Sequence, residues 1–512
     1  MENNLSKKLD SNSKDKNNSQ TNLKTKIQSG QNVRVRFAPS PTGYLHVGGA
    51  RTALYNYLFA KANDGSFLIR VEDTDEERSQ DDYLKSMLTD LEWLGLLWQE
   101  GPNPDLSEKG NYGPYRQSHR KSIYNEYTQK MLKDGQAYYC FLTDEELDVQ
   151  REKAIAKNEP FRPDSPYRDW DLKKAEDKLK TQTATIRFKN EYGNRDFKFN
   201  DIVRGEISFP ADMIGDFVMA RSSGMPVYNF VCTLDDVLMK ITHVFRAEEH
   251  LSNTLKQLMI YDALGFTPPE FGHLSIMLGG DRQKLSKRHG ATSVHEFKAQ
   301  GYLPEALLNF MALVGWSSPS GKEILSVEEM IAEFTSDRFN PASAVFDMDK
   351  CKWMNSQYLR SLPELELWHR LEPFLKDAGL KFVGTDEWKA KVLVTYKQNM
   401  ETLLDGSIAL KVLSETPLVV EDEAKEVLTW PKSKDLIMLM RGEVSSMKTE
   451  YPSSDLLEQI MNRAKTELDL KGKFLFVPLR VALIGKAQGT EIKDLFPLLR
   501  KEVILNRIDN LF

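Results

Sequence analysis

Two short runs of this 512-residue chain carry side chains suited to a nucleotide. The first, Phe37 to Arg51 (FAPSPTGYLHVGGAR), sets His46 two residues ahead of the pair Gly48–Gly49 at a helix start. Glycine lets a ligand approach the backbone closely. The free N–H groups and positive dipole end of a helix start suit phosphate. An imidazole there can hydrogen-bond a nucleotide oxygen and follow charge that develops on it. The second run, residues 279–290 (GGDRQKLSKRHG), packs two lysines and two arginines between glycines. Such a loop can close on a triphosphate and stabilise departing pyrophosphate. Each run alone has a plain alternative: a turn with a histidine before a helix, or a solvated basic loop. Together, in this order in a chain with a split α/β pattern, they argue for ATP.

The surrounding pattern predicts the elements that must hold these runs. Val33–Phe37 alternates apolar and polar residues as a strand does, and Pro39, Pro41 and Thr42–Gly43 stop it in a turn. A helix is predicted from about Gly48 to Asn63, a strand over Phe67–Val71, and an amphipathic helix from Thr74 to Gly95. In the last, Leu84, Met87, Leu88, Leu91 and Leu94 share one face. Strand, helix, strand, helix predicts a parallel α/β sheet. Between about 113 and 226 the pattern changes to charged helices (143–158 and 171–181) around short strands such as Thr185–Phe188, as in an inserted α+β domain. The α/β pattern resumes at Val227–Val231 and continues through Lys240–Arg246 and a helix near 249–264. After about 270 the chain is mainly helical.

Composition bounds the rest. The net charge of −6 advertises no nucleic acid partner, though a local basic patch needs no basic total. No run approaches the roughly 20 apolar residues of a membrane span. Residues 1–32 almost lack large apolar side chains, which predicts a disordered tail. Glu2, Asp10 and Asp15, with no arginine, argue against a transit peptide. Cys140, Cys232 and Cys351 lie too far apart for metal-ligand spacing or a disulfide framework, as expected of reduced thiols in a cytosolic protein.

The full run RFAPSPTGYLHVGGARTALYNYLFAK resembles the signature region of the bacterial-type glutamyl-tRNA synthetases, a class I family. His46–Gly49 is similar to the H-I-G-H signature with glycine last, and KLSKR to K-M-S-K-S. FLIRVEDTD (67–75), VFRAEEHLSNT (244–254), ALLNFMALVGWS (306–317), FNPASAVFDMDKCKWMN (339–355) and LFVPLRVALIG (475–485) resemble further blocks of that family, in order, from Val33 to the end. The resemblance implies a Rossmann-like catalytic core in two halves (33–112 and 227–266) around an acceptor-stem-binding insertion (113–226). A stem-contact domain bearing KLSKR (267–363) and an all-helical anticodon-binding region (364–512) would follow.

It also implies a reaction: glutamate attacks the α-phosphate of ATP, and tRNA then takes the glutamyl group. That chemistry depends on positioning and charge stabilisation rather than a covalent nucleophile. By resemblance, His46, Gly48, Gly49, Lys284, Ser286 and Lys287 hold ATP, with His46, Lys284 and Lys287 catalytic and Lys287 the stronger assignment of the lysines. Arg36 and Arg246 face the glutamate carboxylates, as guanidinium suits them. Ala38 belongs to the glutamate site, Ser40 adds a hydrogen bond, Glu72 pairs with the ammonium, and Tyr228 closes the pocket. Each has an ordinary alternative as a strand-end charge or a core aromatic. Asp73 and Asp75 precede a predicted helix, so Thr74 or Asp75 is as well suited to capping it as to meeting tRNA, and Arg78 is placed toward the acceptor end.

The implied partners are tRNA-Glu, ATP with Mg2+, and L-glutamate, in a cytoplasmic monomer; whether tRNA-Gln is also charged stays open. Some family members bind zinc through Cys-x-Cys and Cys-x-His. Tyr138–Leu142 and Ser165–Asp169 retain only Cys140 of such a set, so no zinc is expected. Cys232, four residues after Tyr228, either touches substrate or packs. A glutaminyl-tRNA synthetase is the nearest rival, but its anticodon region is mostly β. A non-enzymatic tRNA-binding relative would have lost His46, Lys284 or Lys287.

Overall fold

The computed structural model describes residues 32–75, 79–159, 161–286, 288, 290–415 and 417–512. Lys287, Arg78 and residues 1–31 of the expected tail lie outside them. The described chain is a mixed α/β core followed by a helical C-terminal region.

The core begins with strand β1 (Arg34–Phe37), helix α1 (Val47–Ala62) and strand β2 (Ser66–Ile69). β1 and β2 pair in parallel, Arg34 opposite Ser66 and Phe37 opposite Ile69. A second parallel pair joins His243–Ala247 to Glu270–Leu274. Thr242 connects the pairs: its N–H donates to Arg34 O at 2.9 Å, and its Oγ1 accepts from Arg34 N at 2.8 Å. These strands are largely buried on both faces, as in a parallel sheet that helices cover on both sides, and the buried side chains include Arg36, Arg246 and His273. α1 is likewise buried nearly all round, packed between β1 and the helices Pro304–Leu313 and Val327–Glu333.

Two local expectations are corrected. The second helix, α2, spans only Asp81–Trp93, with Gln80 as its N-cap, so neither Thr74 nor Asp75 caps it. Asp73 instead accepts from Ser118 N (2.8 Å), Ser118 Oγ (2.7 Å) and Arg116 Nε (3.1 Å). Side-chain bonds to a distant segment hold Glu72–Asp75 out of the helix, the competition that short acidic side chains offer to regular structure. The α/β pattern resumes near 227 not as a strand but as the helix Tyr228–Leu238. A five-residue apolar run cannot distinguish the two. The burial of Phe230, Val231 and Leu234, three and four residues apart, decided for helix.

Between the two parallel pairs, Ala137–Cys140, Thr185–Phe188 and Val218–Ala220 form an antiparallel sheet in the order 137–140, 185–188, 218–220. A hairpin joins Asp196–Asp201 to Gly205–Pro210. Cys140 is buried there, its Sγ 3.5 Å from Ser165 Oγ. Beyond Val345 the described residues contain helices and no strand. Phe346, Cys351 and Met354 still belong to the core of the first part, and a second core is built on Trp368, Leu371, Trp388, Val392, Leu436, Met440 and Leu479.

Candidate active site

A cleft of about 630 Å³ opens where the carboxyl ends of β1 and His243–Ala247 meet the start of α1, the usual place for a ligand in an open α/β sheet. The two sequence runs meet across it. Val47 N–H donates to Thr292 O at 2.9 Å, and Val294 N–H donates to Leu45 O at 2.9 Å, so the chain just after KLSKR is stitched to the start of α1. Lys284 pairs with Leu278 across the turn 279–283, in which Gly279 N–H donates to Gln283 O.

At this end His46 is the N-cap of α1. Its Nδ1 accepts from Gly48 N at 3.0 Å, so in the neutral ring the proton is on Nε2, which remains a donor. Desolvation in the cleft, then the charge of Lys284, holds the imidazole below its usual pKa. A Cβ on Gly48 would lie 3.3 Å from His46 Nδ1, tight enough to disturb the ring. Lys284 Nζ donates to Glu249 Oε2 at 2.9 Å, with both side chains largely in water. Arg288, farther along the loop, pairs with Asp281 at 3.0 Å. Ser286 lines the cleft.

At the other end the charges are buried. Arg36 Nε donates to Asp236 Oδ1 at 3.1 Å, and Arg70 Nη1 donates to the same oxygen at 2.5 Å. Arg70 Nη2 donates to Glu72 Oε1 at 3.0 Å and to Cys232 Sγ at 3.5 Å. Burial tends to neutralise all of these groups. It raises the Glu72 carboxyl despite Arg70 and Arg36, and it pushes the Cys232 thiol up to about 12. Burial also works against the Asp236 carboxylate, but Arg36 and Arg70 outweigh it and hold that group below its ordinary pKa. Cys232 is fully buried and does not line the cleft.

Tyr228 Oη lies 3.1 Å from His250 Nδ1, and Asn253 Nδ2 lies 3.5 Å from the same nitrogen. Burial, then Arg246, pushes His250 down to about 4. The ring is therefore neutral; the Asn253 amide nitrogen can only donate, so Nδ1 is the accepting nitrogen and the Tyr228 hydroxyl donates to it.

Of the expected site residues, Arg36, Ala38, His46, Gly48, Gly49, Glu72, Tyr228, Arg246, Lys284 and Ser286 line one cleft. Ser40 is exposed and outside the lining. Reading the sequence missed Asp236, which has no cleft surface and no motif, Arg70, which lay inside the block 67–75 but has no cleft surface, and Glu249 and His250, which lay inside the block 244–254. It also missed Arg51, whose Nη1 donates to Val314 O at 3.0 Å and whose Nη2 donates to Ser275 O, tying α1 to the walls of the cleft.

No group of three or more His, Cys, Asp or Glu among the described residues is arranged to hold a metal ion. A magnesium ion that arrives on a triphosphate requires few protein ligands, and Glu249 offers one carboxylate in the cleft.

Comparison with known proteins gives concordant results. Residues 32–353 match the family "tRNA synthetases class I (E and Q), catalytic domain", and residues 366–512 match an anticodon binding domain. A glutamate–tRNA ligase of Bdellovibrio bacteriovorus is 50% identical over 479 residues, 93% of this chain and 97% of that protein. One from Caldicellulosiruptor saccharolyticus is 42% identical over 93% of this chain and 98% of its own. A crystal structure of a glutamate tRNA ligase from Elizabethkingia meningosepticum, in complex with its amino acid, superposes with a TM-score of 0.82 at 33% identity, covering 94% of this chain and 99% of that one.

Proposed function

We propose a division of labour for this chain, which belongs to the class I tRNA synthetases of the glutamate and glutamine branch and, within it, to the glutamate–tRNA ligases. The chain joins glutamate to tRNA at the expense of ATP. The observation that carries the residue assignments is the polarity of the single cleft: His46, a helix start and Lys284 at one end, Arg36, Glu72 and Arg246 at the other.

In this reading the helix start at Gly48–Gly49 and the Nε2–H of His46 hold the phosphates, and His46 acts as a neutral donor. Lys284 leaves Glu249 for the phosphate oxygens, and Lys287 joins it. Mg2+ would come with ATP and would neutralise charge on the leaving pyrophosphate. Arg36 and Arg246 receive the two carboxylates of glutamate, and Glu72 receives its ammonium. Ala38 borders that pocket, Tyr228 covers it, and Ser40 belongs to its outer rim. Positions on rigid strands fix the attacking carboxylate against the α-phosphate, which is where the rate gain of such a reaction lies.

We assign residues 113–226 to the acceptor stem, 267–363 to stem contact and 364–512 to the anticodon, in a cytoplasmic monomer. No helix among the described residues is long and apolar enough to cross a membrane.

The test is ATP–pyrophosphate exchange and charging with glutamate and with glutamine, on purified tRNA-Glu and tRNA-Gln, with exchange run with and without tRNA. Glutamate supports the reaction and glutamine does not. Preferential use of glutamine would overturn the assignment of Arg36 and Arg246 to carboxylates.

A further inference from the structure

Arg246 does not stand alone in its strand. His273 lies directly opposite it in the parallel pair, so the two side chains share one face of the sheet. Arg246 Nε donates to His273 Nε2 at 3.2 Å. The other ring nitrogen, Nδ1, lies 2.6 Å from Asp201 Oδ2. Asp201 ends the strand Asp196–Asp201 of the inserted segment and is 1% exposed; His273 is wholly buried. Arg246 Nη2 donates to Thr254 Oγ1 at 2.7 Å, which itself lies 3.0 Å from His273 Nε2. The third nitrogen, Nη1, is buried without a protein partner in a residue that lines the cleft. Phe271 stacks on the His273 ring, and the Arg246 guanidinium lies over Phe271.

We propose that Asp201 and His273 are positioning residues for the substrate arginine: they fix one imidazole tautomer, which in turn holds Arg246 with Nη1 free for a glutamate carboxylate. The argument is one of donors and acceptors. Arg246 has only N–H groups to offer, so His273 Nε2 must present a lone pair. The ring proton then sits on Nδ1, and an acceptor must face it; Asp201 Oδ2 is that acceptor. The remaining bonds of Asp201 fix which oxygen does this. Oδ1 accepts from Val203 N (2.9 Å) and Arg204 N (3.0 Å), and His273 N approaches both oxygens, at 3.2 and 3.1 Å. A carboxylate satisfies the backbone amides and the ring together, and no other side chain of its size can. The inserted segment thereby reaches the amino-acid pocket through three side chains. The proposal rests on the assignment of Arg246 to glutamate made above.

The test uses the full chain with saturating tRNA, varies glutamate and ATP in turn with the other saturating, and reads KM for glutamate separately from KM for ATP and from kcat. Asp201→Asn is nearly isosteric. Its oxygen stays with the amides of Val203 and Arg204, and its NH2 then faces His273 Nδ1. The ring must move its proton to Nε2, where it meets the Nε–H of Arg246. KM for glutamate is expected to rise about tenfold or more, the loss of one charge-assisted hydrogen bond, with KM for ATP within about twofold. His273→Leu should do the same. His273→Gln, whose carbonyl still accepts from Arg246, should recover most of the affinity. Arg246→Lys serves as the reference for the pocket itself.

If Arg246→Lys raises KM for glutamate while Asp201→Asn and His273→Leu do not, the relay is overturned and the pocket stands. If Arg246→Lys has no effect, the pocket assignment and the relay fall together. Parallel losses in both KM values and in melting temperature, with no recovery in His273→Gln, would make the pair merely structural and overturn the proposal. If Asp201→Asn does not fold, the contrast between His273→Gln and His273→Leu decides alone.

Discussion

At the end of the cleft proposed to receive glutamate, Arg36, Arg70 and Asp236 expose no more than 3% of their side chains and share hydrogen bonds. At the end proposed to hold ATP, Lys284 and Glu249 expose 71% and 54%. Pairs of a cation and a carboxylate thus serve both ends, buried at one and exposed at the other. Buried and cross-bonded, charges cannot reorient, so they present a fixed template to a small substrate and need no rearrangement when it arrives. Exposed and singly paired, a lysine can exchange one carboxylate for another anion at little cost. A recognition site benefits from the first arrangement, and a loop that must close on a triphosphate and then release pyrophosphate benefits from the second.

The sharpest way to break this contrast is Asp236→Ala. It leaves Arg36 and Arg70 buried around a missing partner, and breaking such a pair costs about 3–5 kcal/mol of stability. The denaturant midpoint should fall accordingly; an unchanged midpoint would mean that this end is not preorganised by its charges. Lys284→Ala should behave oppositely. Removing one group that stabilises developing charge lowers the rate by about a hundredfold or more, read as ATP–pyrophosphate exchange, while stability changes by no more than about 1 kcal/mol because the pair is exposed. Glu249→Gln is the mildest test. It frees Lys284 from a competing carboxylate worth about 0.2–1 kcal/mol, so KM for ATP should fall by up to about fivefold. A rise would show instead that Glu249 itself serves ATP.

Much of this was legible because some signals are local. The strand Arg34–Phe37 and the helix from Val47 were readable from alternation, a proline-bearing turn and a glycine pair within a dozen residues. Thr185–Phe188 was readable from four residues alone. His46 and Lys284 belong to runs specific enough to carry a chemistry, and the structure puts both in one cleft. Where the reading failed, a distant partner decided. Asp73 looked like part of a helix start because Ser118 and Arg116, which capture it, lie more than forty residues away. Tyr228–Leu238 looked ambiguous because its burial depends on helix Leu251–Leu264, against which it packs. The pairing of Asp236 with Arg70 and Arg36 was invisible because a buried ion pair leaves no periodicity in the chain.

The sequence by itself determined which residues are chemically able to act and which local elements present them, since turn, cap and strand preferences are properties of neighbours along the chain. Only the tertiary structure decided their state: that His46 spends one nitrogen on its own helix, that Lys284 rests on Glu249, and that Arg246 is aligned by His273 and Asp201. Hydrogen-bond partners and desolvation are set by what lies alongside in space, and here those neighbours come from parts of the chain far apart in sequence.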